Sequence, residues 1–268
     1  MTKKNLCICG ACGRMGKTIL SLLSEDPLLS PNLFIEAKGH PCIGVEILPG
    51  IAVRDTFPGR ETRIDVSIDF SVPDASMQNL AFAAERAFPM VIGTTGFSSA
   101  QKEAAALYAK KIPLLMAPNM SLGVNCMMEI LEYATSLLPG YEVEIVETHH
   151  HNKEDAPSGT ALKLGEIVCH ARDLSPKKVF TFGRSGRPGP RSKDEIGIHA
   201  IRLGEVVGEH QVFFAGPGEI LELSHRCFTR ESFAAGAILA AKFLLTQDSG
   251  LYAMKDVISW MRRVSEKP

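Results

Sequence analysis

Leu6-Cys-Ile-Cys-Gly-Ala-Cys-Gly-Arg-Met-Gly16, running on into Lys17-Thr-Ile-Leu-Ser-Leu-Leu-Ser24, decides the fold. Leu6 to Cys9 is a short apolar run of the kind that fills a buried strand, and Ile19, Leu20, Leu22 and Leu23 recur at helical spacing. The glycines between them let the chain turn tightly and bring its backbone close to a pyrophosphate, which would rest on the helix N-terminus. The spacing is G-x-x-G-x-x-G rather than G-x-G-x-x-G, and a ligand-free strand–helix turn can carry the same glycines. The strand before and the helix after favour dinucleotide binding.

The alternation continues. Leu33 to Ala37, Val66 to Phe70, Met90 to Ile92 and Pro113 to Met116 read as strands, with helices from Pro73 through Ala87 and from Ala100 to Lys110. Pro73 stands early in its helix, where a missing N–H is tolerated. Gly93-Thr-Thr-Gly96 and Ala117-Pro-Asn-Met120 are turns at strand carboxyl ends, where open parallel sheets bind ligands. Together these imply a doubly wound, Rossmann-like parallel sheet over residues 1–121. The second strand ends near Lys38-Gly-His40. Cationic Lys38, with Arg14 in the glycine turn, suits a 2′-phosphate, so NADPH fits as well as NADH; the alternative is that both cations are merely solvated.

Residues 122–232 follow another pattern. Gly123 to Leu138 reads as a long helix in which Met127 and Met128 are core filler. Glu142 to His149 is a strand, Thr160 to Arg172 a helix and Val179 to Phe182 a strand. The basic loop 183–193 is either solvated or able to close over an anion. Ile196 to Leu203, Val206 to Phe214 and Ile220 to Phe228 are strands without helices between them, which predicts an α+β domain with a mixed, largely antiparallel sheet. Two closing helices, Phe233 to Leu245 and Tyr252 to Val264, could pack back on the first domain, the whole closing segment being residues 233–268.

The chemistry concentrates in Glu147-Thr-His-His-His-Asn-Lys-Glu-Asp-Ala-Pro-Ser-Gly-Thr-Ala161, a loop between a strand and a helix. Adjacent side chains of an extended segment point to opposite faces, so His149, His150 and His151 do not easily share one ion, and no metal is expected. Histidine exchanges protons near neutral pH. Lys153 adds a proton and a positive charge, and Ser158-Gly-Thr160 reads as a capped helix start that favours an anion. On residues alone, this is an NAD(P)-dependent reductase of a small carboxylate.

Composition narrows the field. Of 268 residues 45% are hydrophobic, enough for full cores, and a net charge of −1 argues against a nucleic-acid partner. No apolar run reaches membrane-spanning length, and Met1-Thr-Lys-Lys-Asn5 does not lead into a secretory signal, so a cytoplasmic protein with no membrane partner is expected. The Cys count of 7 is odd and several lie in apolar runs; they read as reduced packing residues.

The histidine loop closely resembles the signature E-x-H-H-x-x-K-x-D-A-P-S-G-T-A of the dihydrodipicolinate reductase family. Gly10 to Gly16, Ile68 to Ser71, Val91 to Phe97, Asn119 to Asn125, Arg202 to Gly204, Val207 to His210 and Leu221 to His225 are similar to further blocks in family order and cover most of the chain. The resemblance implies reduction of a small cyclic dicarboxylate, with loss of water, on the way to diaminopimelate and lysine. It implies His149 and Lys153 as the acid/base pair. It places the substrate on His150, Lys153, Ser158, Gly159, Thr160 and Thr95. The cofactor would lie on Gly10, Ala11, Cys12, Gly13, Arg14, Met15, Gly16, Lys38, Gly93, Thr94, Thr95, Ala117, Pro118, Asn119 and Met120. Family members are commonly homotetramers held through the strand-rich domain.

One departure bears on the cofactor. Many members that accept NADH carry an acid at the second strand's tip, and the matching place here is Gly39 or His40, which tilts the reading slightly toward NADPH. Two rivals share the layout. An acyl-phosphate reducer of the aspartate pathway would need a nucleophilic cysteine, for which Cys126 is the candidate. A non-catalytic nucleotide sensor would have no use for both His149 and Lys153.

Overall fold

The computed structural model describes residues 2–265. In chain order the elements are β1 (Lys4–Cys9), α1 (Arg14–Leu23), β2 (Leu29–Ile35), β3 (Glu46–Leu48), β4 (Ile51–Arg54), β5 (Val66–Asp69), α2 (Pro73–Arg86), β6 (Met90–Ile92), α3 (Ser99–Tyr108) and β7 (Pro113–Met116). There follow α4 (Leu122–Leu137), β8 (Glu142–His149), α5 (Gly159–Ala171), α6 (Pro176–Val179), β9 (Phe180–Phe182), β10 (Ile196–Arg202), β11 (Gly208–Gly216), β12 (Glu219–Cys227), α7 (Glu231–Leu244), β13 (Gly250–Tyr252) and α8 (Met254–Ser265). The chain divides into two units: one comprises the chain up to Leu122 and again from Arg230 onward, the other is Gly123–Thr229.

The first unit is built on an eight-stranded sheet in the order β13-β7-β6-β5-β1-β2-β4-β3, parallel except where β3 meets β4. β1 lies between β2 and β5, so the chain leaves it in opposite directions and the strand order switches there. In such sheets ligands bind outside the carboxyl ends at that switch. Buried Leu6, Ile8, Ile19, Phe34 and Ile68 form one core with Ala237, Ala241, Phe243 and Val257 of α7 and α8. Local signals set the helix ends: Pro73 opens α2, Ala87 closes it in the left-handed conformation, and Ser98 with Gln101 forms a capping box on α3.

Three details differ from the sequence reading. β2 begins four residues earlier than expected, through Pro31. That proline sits beside a register shift in the β1 pairing, while β2 meets β4 only at Phe34 and Ile35, so no ladder bond is lost. β2 also ends at Ile35, which corrects the strand tip from Lys38-Gly-His40 to Glu36. Finally, β3, β4 and β13, each three or four residues long, extend the two ends of the sheet with strands that the hydrophobic pattern did not mark.

The second unit carries a five-stranded sheet, β12-β11-β8-β10-β9. β8, β10 and β9 run parallel, while β11 is antiparallel to both β8 and β12. Along β8 buried and half-buried residues alternate, the buried set being Val143, Ile145, Glu147 and His149. Val143 and Ile145 meet Leu164 and Val168 of α5 and Leu131 of α4 in one core. The same alternation carries Glu147 and His149 to that face, so two polar side chains are buried at the strand's carboxyl end. Two arginines of the basic loop are tied to this part of the chain: Arg184 pairs with Glu144 and Glu195, and Arg191 with Glu142 and Glu144.

Candidate active site

Glu147 has no solvent exposure, and four donors converge on it. Arg202 from β10 donates two hydrogen bonds in a fork, 2.8 Å to Oε2 and 2.9 Å to Oε1. Ser158 N–H donates to Oε1 at 2.9 Å, and His149 Nδ1 lies 2.6 Å from Oε2. Burial alone would raise this carboxyl group, but the hydrogen bonds from His149, Arg202 and Ser158 prevail and hold it down at about 2. An ionised carboxylate only accepts, so Nδ1 of His149 carries a hydrogen and Nε2 is the ring atom left for proton exchange.

The space at that atom is kept by backbone. Gly208, the first residue of β11, is buried, and a Cβ there would stand 3.1 Å from His149 Nε2. His210, two residues on, meets the His149 ring edge-on with centroids 5.2 Å apart. Its Nε2 lies 3.1 Å from Ser158 Oγ, while that oxygen accepts from Ala161 N–H as the cap of α5. The hydroxyl is thus engaged by both the helix N–H and the His210 ring. Burial, helped by the charge of His149, pushes His210 down to about 3, so it stays neutral at physiological pH.

The loop between β8 and α5 is tied down at several points. Leu203 N–H donates to His149 O, and His151 N–H to Gly204 O. His151 Nδ1 lies 2.8 Å from the same carbonyl, and that ring is exposed. Arg202 also donates to the carbonyls of Lys153 and Asp155, so one guanidinium fixes both the buried carboxylate and the loop backbone. Lys153 Nζ sits 2.7 Å from Asp155 Oδ1, and its charge is felt at His210. α5 starts at Gly159, where open space stands in place of a side chain. The second unit thus holds an imidazole Nε2, an ammonium and a helix N-terminus around one loop. Such a set can hold an anion and pass a proton.

In the first unit Gly10 adopts a positive φ of 78°, and a Cβ there would stand 2.5 Å from Phe70 O. Gly13 caps α1 without a side-chain hydrogen bond, leaving the first-turn N–H groups to an anion. These features fit a dinucleotide pyrophosphate. Glu36, just past β2, accepts from Cys12 N–H at 2.6 Å. Arg14, Lys38, Thr95 and Pro118 are exposed, and Cys12, Met15 and Asn119 partly so. Ala11, Gly16, Gly93, Ala117 and Met120 are buried, and Met120 packs into the core. The Thr94 hydroxyl turns inward to Asp69 Oδ1 at 3.0 Å, so only its backbone is left to face a ligand. Cys126 is no activated nucleophile: burial and then Glu129 push its thiol up, which keeps it protonated.

Glu147, Arg202, Gly208 and His210 carry no individual role in the sequence reading. Their signal was the polar residue pattern in β8, β10 and β11; their partnership needed the strand pairing.

Comparison with known proteins assigns the chain to a family. Residues 4–120 match the family model for dihydrodipicolinate reductase, N-terminus, and residues 123–258 that for its C-terminus. The 4-hydroxy-tetrahydrodipicolinate reductase of Nitrosomonas europaea is 41% identical over 96% of this chain and 99% of its own. That of Syntrophus aciditrophicus is 43% identical over 94% and 97%. A dipicolinate-bound dihydrodipicolinate reductase from Paenisporosarcina sp. TG-14 shares the fold, with TM-score 0.76 over 94% of this chain and 98% of that one at 24% identity.

Proposed function

Because the chain belongs to the dihydrodipicolinate reductase family, we propose that it reduces 4-hydroxy-tetrahydrodipicolinate to tetrahydrodipicolinate in diaminopimelate and lysine biosynthesis. One hydride and one proton enter and one water leaves. The carrying observation is the buried Glu147–His149 pair clamped by Arg202 at the start of α5. Glu147 orients the imidazole, and His149 delivers the proton from Nε2 with Lys153 as its partner. His210 stays neutral and positions Ser158. His150, Lys153 and the α5 start at Ser158, Gly159 and Thr160 hold a substrate carboxylate.

A bound nicotinamide supplies the hydride. The glycine turn would hold its pyrophosphate, with Gly93 to Thr95 and Ala117 to Met120 lining the neighbouring strand ends. Glu36 at the tip of β2 suits the ribose hydroxyls of NADH, and exposed Lys38 two residues on suits the 2′-phosphate of NADPH, so both are accepted, with NADH favoured. The protein acts in the cytoplasm as a homotetramer. The edge strand β12 supports this assembly through exposed Ile220 and Leu221, with Phe228 just beyond it. No helix among the described residues is long and apolar enough to cross a membrane.

The test is loss of reduced-nicotinamide absorbance with freshly generated substrate. Cofactor binding without substrate-dependent oxidation would overturn the proposal and leave a nucleotide sensor.

A further inference from the structure

Cys12, His40 and Cys42 come together in the first unit with their ligating atoms all within 4.8 Å of one another. Among the described residues no other set of three Cys, His, Asp or Glu side chains converges in this way. Cys12 lies in the glycine turn after β1; His40 and Cys42 lie on the connection from β2 to β3. Both segments are fixed by backbone bonds. Cys12 N–H is held by Glu36, His40 N–H donates to Ala37 O, and Val45 N–H donates to Cys42 O. All three side chains are partly accessible. The Cys9-x-x-Cys12 spacing is a distraction, because the buried Cys9 thiol turns 3.9 Å from Cys7 instead.

We propose that Cys12, His40 and Cys42 form a binding site for a thiophilic divalent cation such as Zn²⁺, and that metal and nicotinamide cofactor exclude each other. Two thiolates and an imidazole select a soft or borderline metal over Mg²⁺ or Ca²⁺. A tetrahedral zinc with Zn–S distances of about 2.3 Å brings sulfurs to within about 4 Å. The present spread of at most 4.8 Å therefore closes by small side-chain rotations. Each thiol gives its proton to solvent, so two protons are released per metal, and no electrons move. The His40 Nδ1 lone pair, which accepts from Cys42 N–H at 3.2 Å, exchanges that bond for the metal. Water or a small-molecule thiol fills the fourth position. Glu36, on the Cys12 backbone, favours the added cation; Lys17, whose charge is also felt at Cys12, opposes it.

The exclusion rests on the assignment of the glycine turn to the cofactor, whereas metal binding does not. In the full-length protein, kept reduced by a thiol-free reductant, Co²⁺ should give a thiolate-to-cobalt charge-transfer band that saturates at one equivalent and is displaced by Zn²⁺. Cys42→Ser should weaken binding tenfold or more, His40→Ala should do likewise, and Cys126→Ser should leave it unchanged. No band, or a band indifferent to Cys42→Ser, would overturn the site. One equivalent of Zn²⁺ should lower the affinity for reduced nicotinamide cofactor at least tenfold in the wild type but not in Cys42→Ser. Equal affinity with and without metal would overturn the exclusion. Failure of the metal-free protein to bind cofactor would instead refute the assignment of the glycine turn, with the cobalt band still reporting on the site.

Discussion

Glu147 Oε2 lies 2.6 Å from His149 Nδ1, and the carboxylate has no exposure to solvent. A buried negative charge persists only when hydrogen bonds replace the lost water, and here an arginine fork and a backbone N–H do so. The pair fixes which ring nitrogen of His149 is available for chemistry.

Glu147 should make the protein acid-labile. Its carboxyl group is lowered from 4.5 to about 2 in the fold, which contributes roughly 3 kcal/mol at neutral pH. That stability is present above about 4.5 and is lost as pH falls toward 2. Glu147→Gln should lower the denaturation midpoint at pH 7 and remove this part of the acid loss. Unchanged stability at pH 7 would show that the pair contributes nothing net.

His210 acts at milder pH. The unfolded chain takes up a proton near 6.5, while the folded ring resists until about 3, so stability falls as pH drops through that window. The loss should reach about 2 kcal/mol by pH 5. His210→Gln keeps an acceptor near Ser158 and should flatten the slope of chemical denaturation free energy between pH 6.5 and 5. An equal slope in the variant would place the effect elsewhere.

Gly208→Ala puts a methyl group 3.1 Å from His149 Nε2. Misplacing one reacting group costs rate more than stability, so kcat/KM should fall roughly tenfold or more with little change in Tm. Normal kinetics would mean that the proton does not travel through Nε2.

Lys153→Ala should cut kcat by roughly a hundredfold while cofactor affinity persists. Its ion-pair partner Asp155 is exposed, so the loss should not reach the fold. Cofactor titration and steady-state kinetics on one preparation check both halves.

Glu36→Gln should shift the kcat/KM ratio toward NADPH, since the variant removes a charge that opposes a 2′-phosphate while leaving an acceptor for Cys12 N–H. An unchanged ratio would assign cofactor choice to Lys38 or Arg14.

Much of this was legible in the sequence because the signals are local. The glycine turn, the alternation of β8 and the capped start of α5 each depend on a few neighbouring residues. The strand tip was misplaced because Pro31 disguises the start of β2 and apolar residues continue to Ile35, so the run appears to centre later. The partners of Glu147 were not legible: Arg202 is 55 residues away and meets it only because β10 pairs parallel with β8. The Cys12–His40–Cys42 cluster likewise joins two segments 28 residues apart, which only the folded chain brings together.

The most direct test of the central claim is the position of a bound cyclic dicarboxylate. A crystal structure with pyridine-2,6-dicarboxylate should show one carboxylate at the start of α5, against Gly159 and Thr160, with the ring within reach of Lys153 and His149 Nε2. A dicarboxylate bound away from His150 and Thr160 would contradict the account.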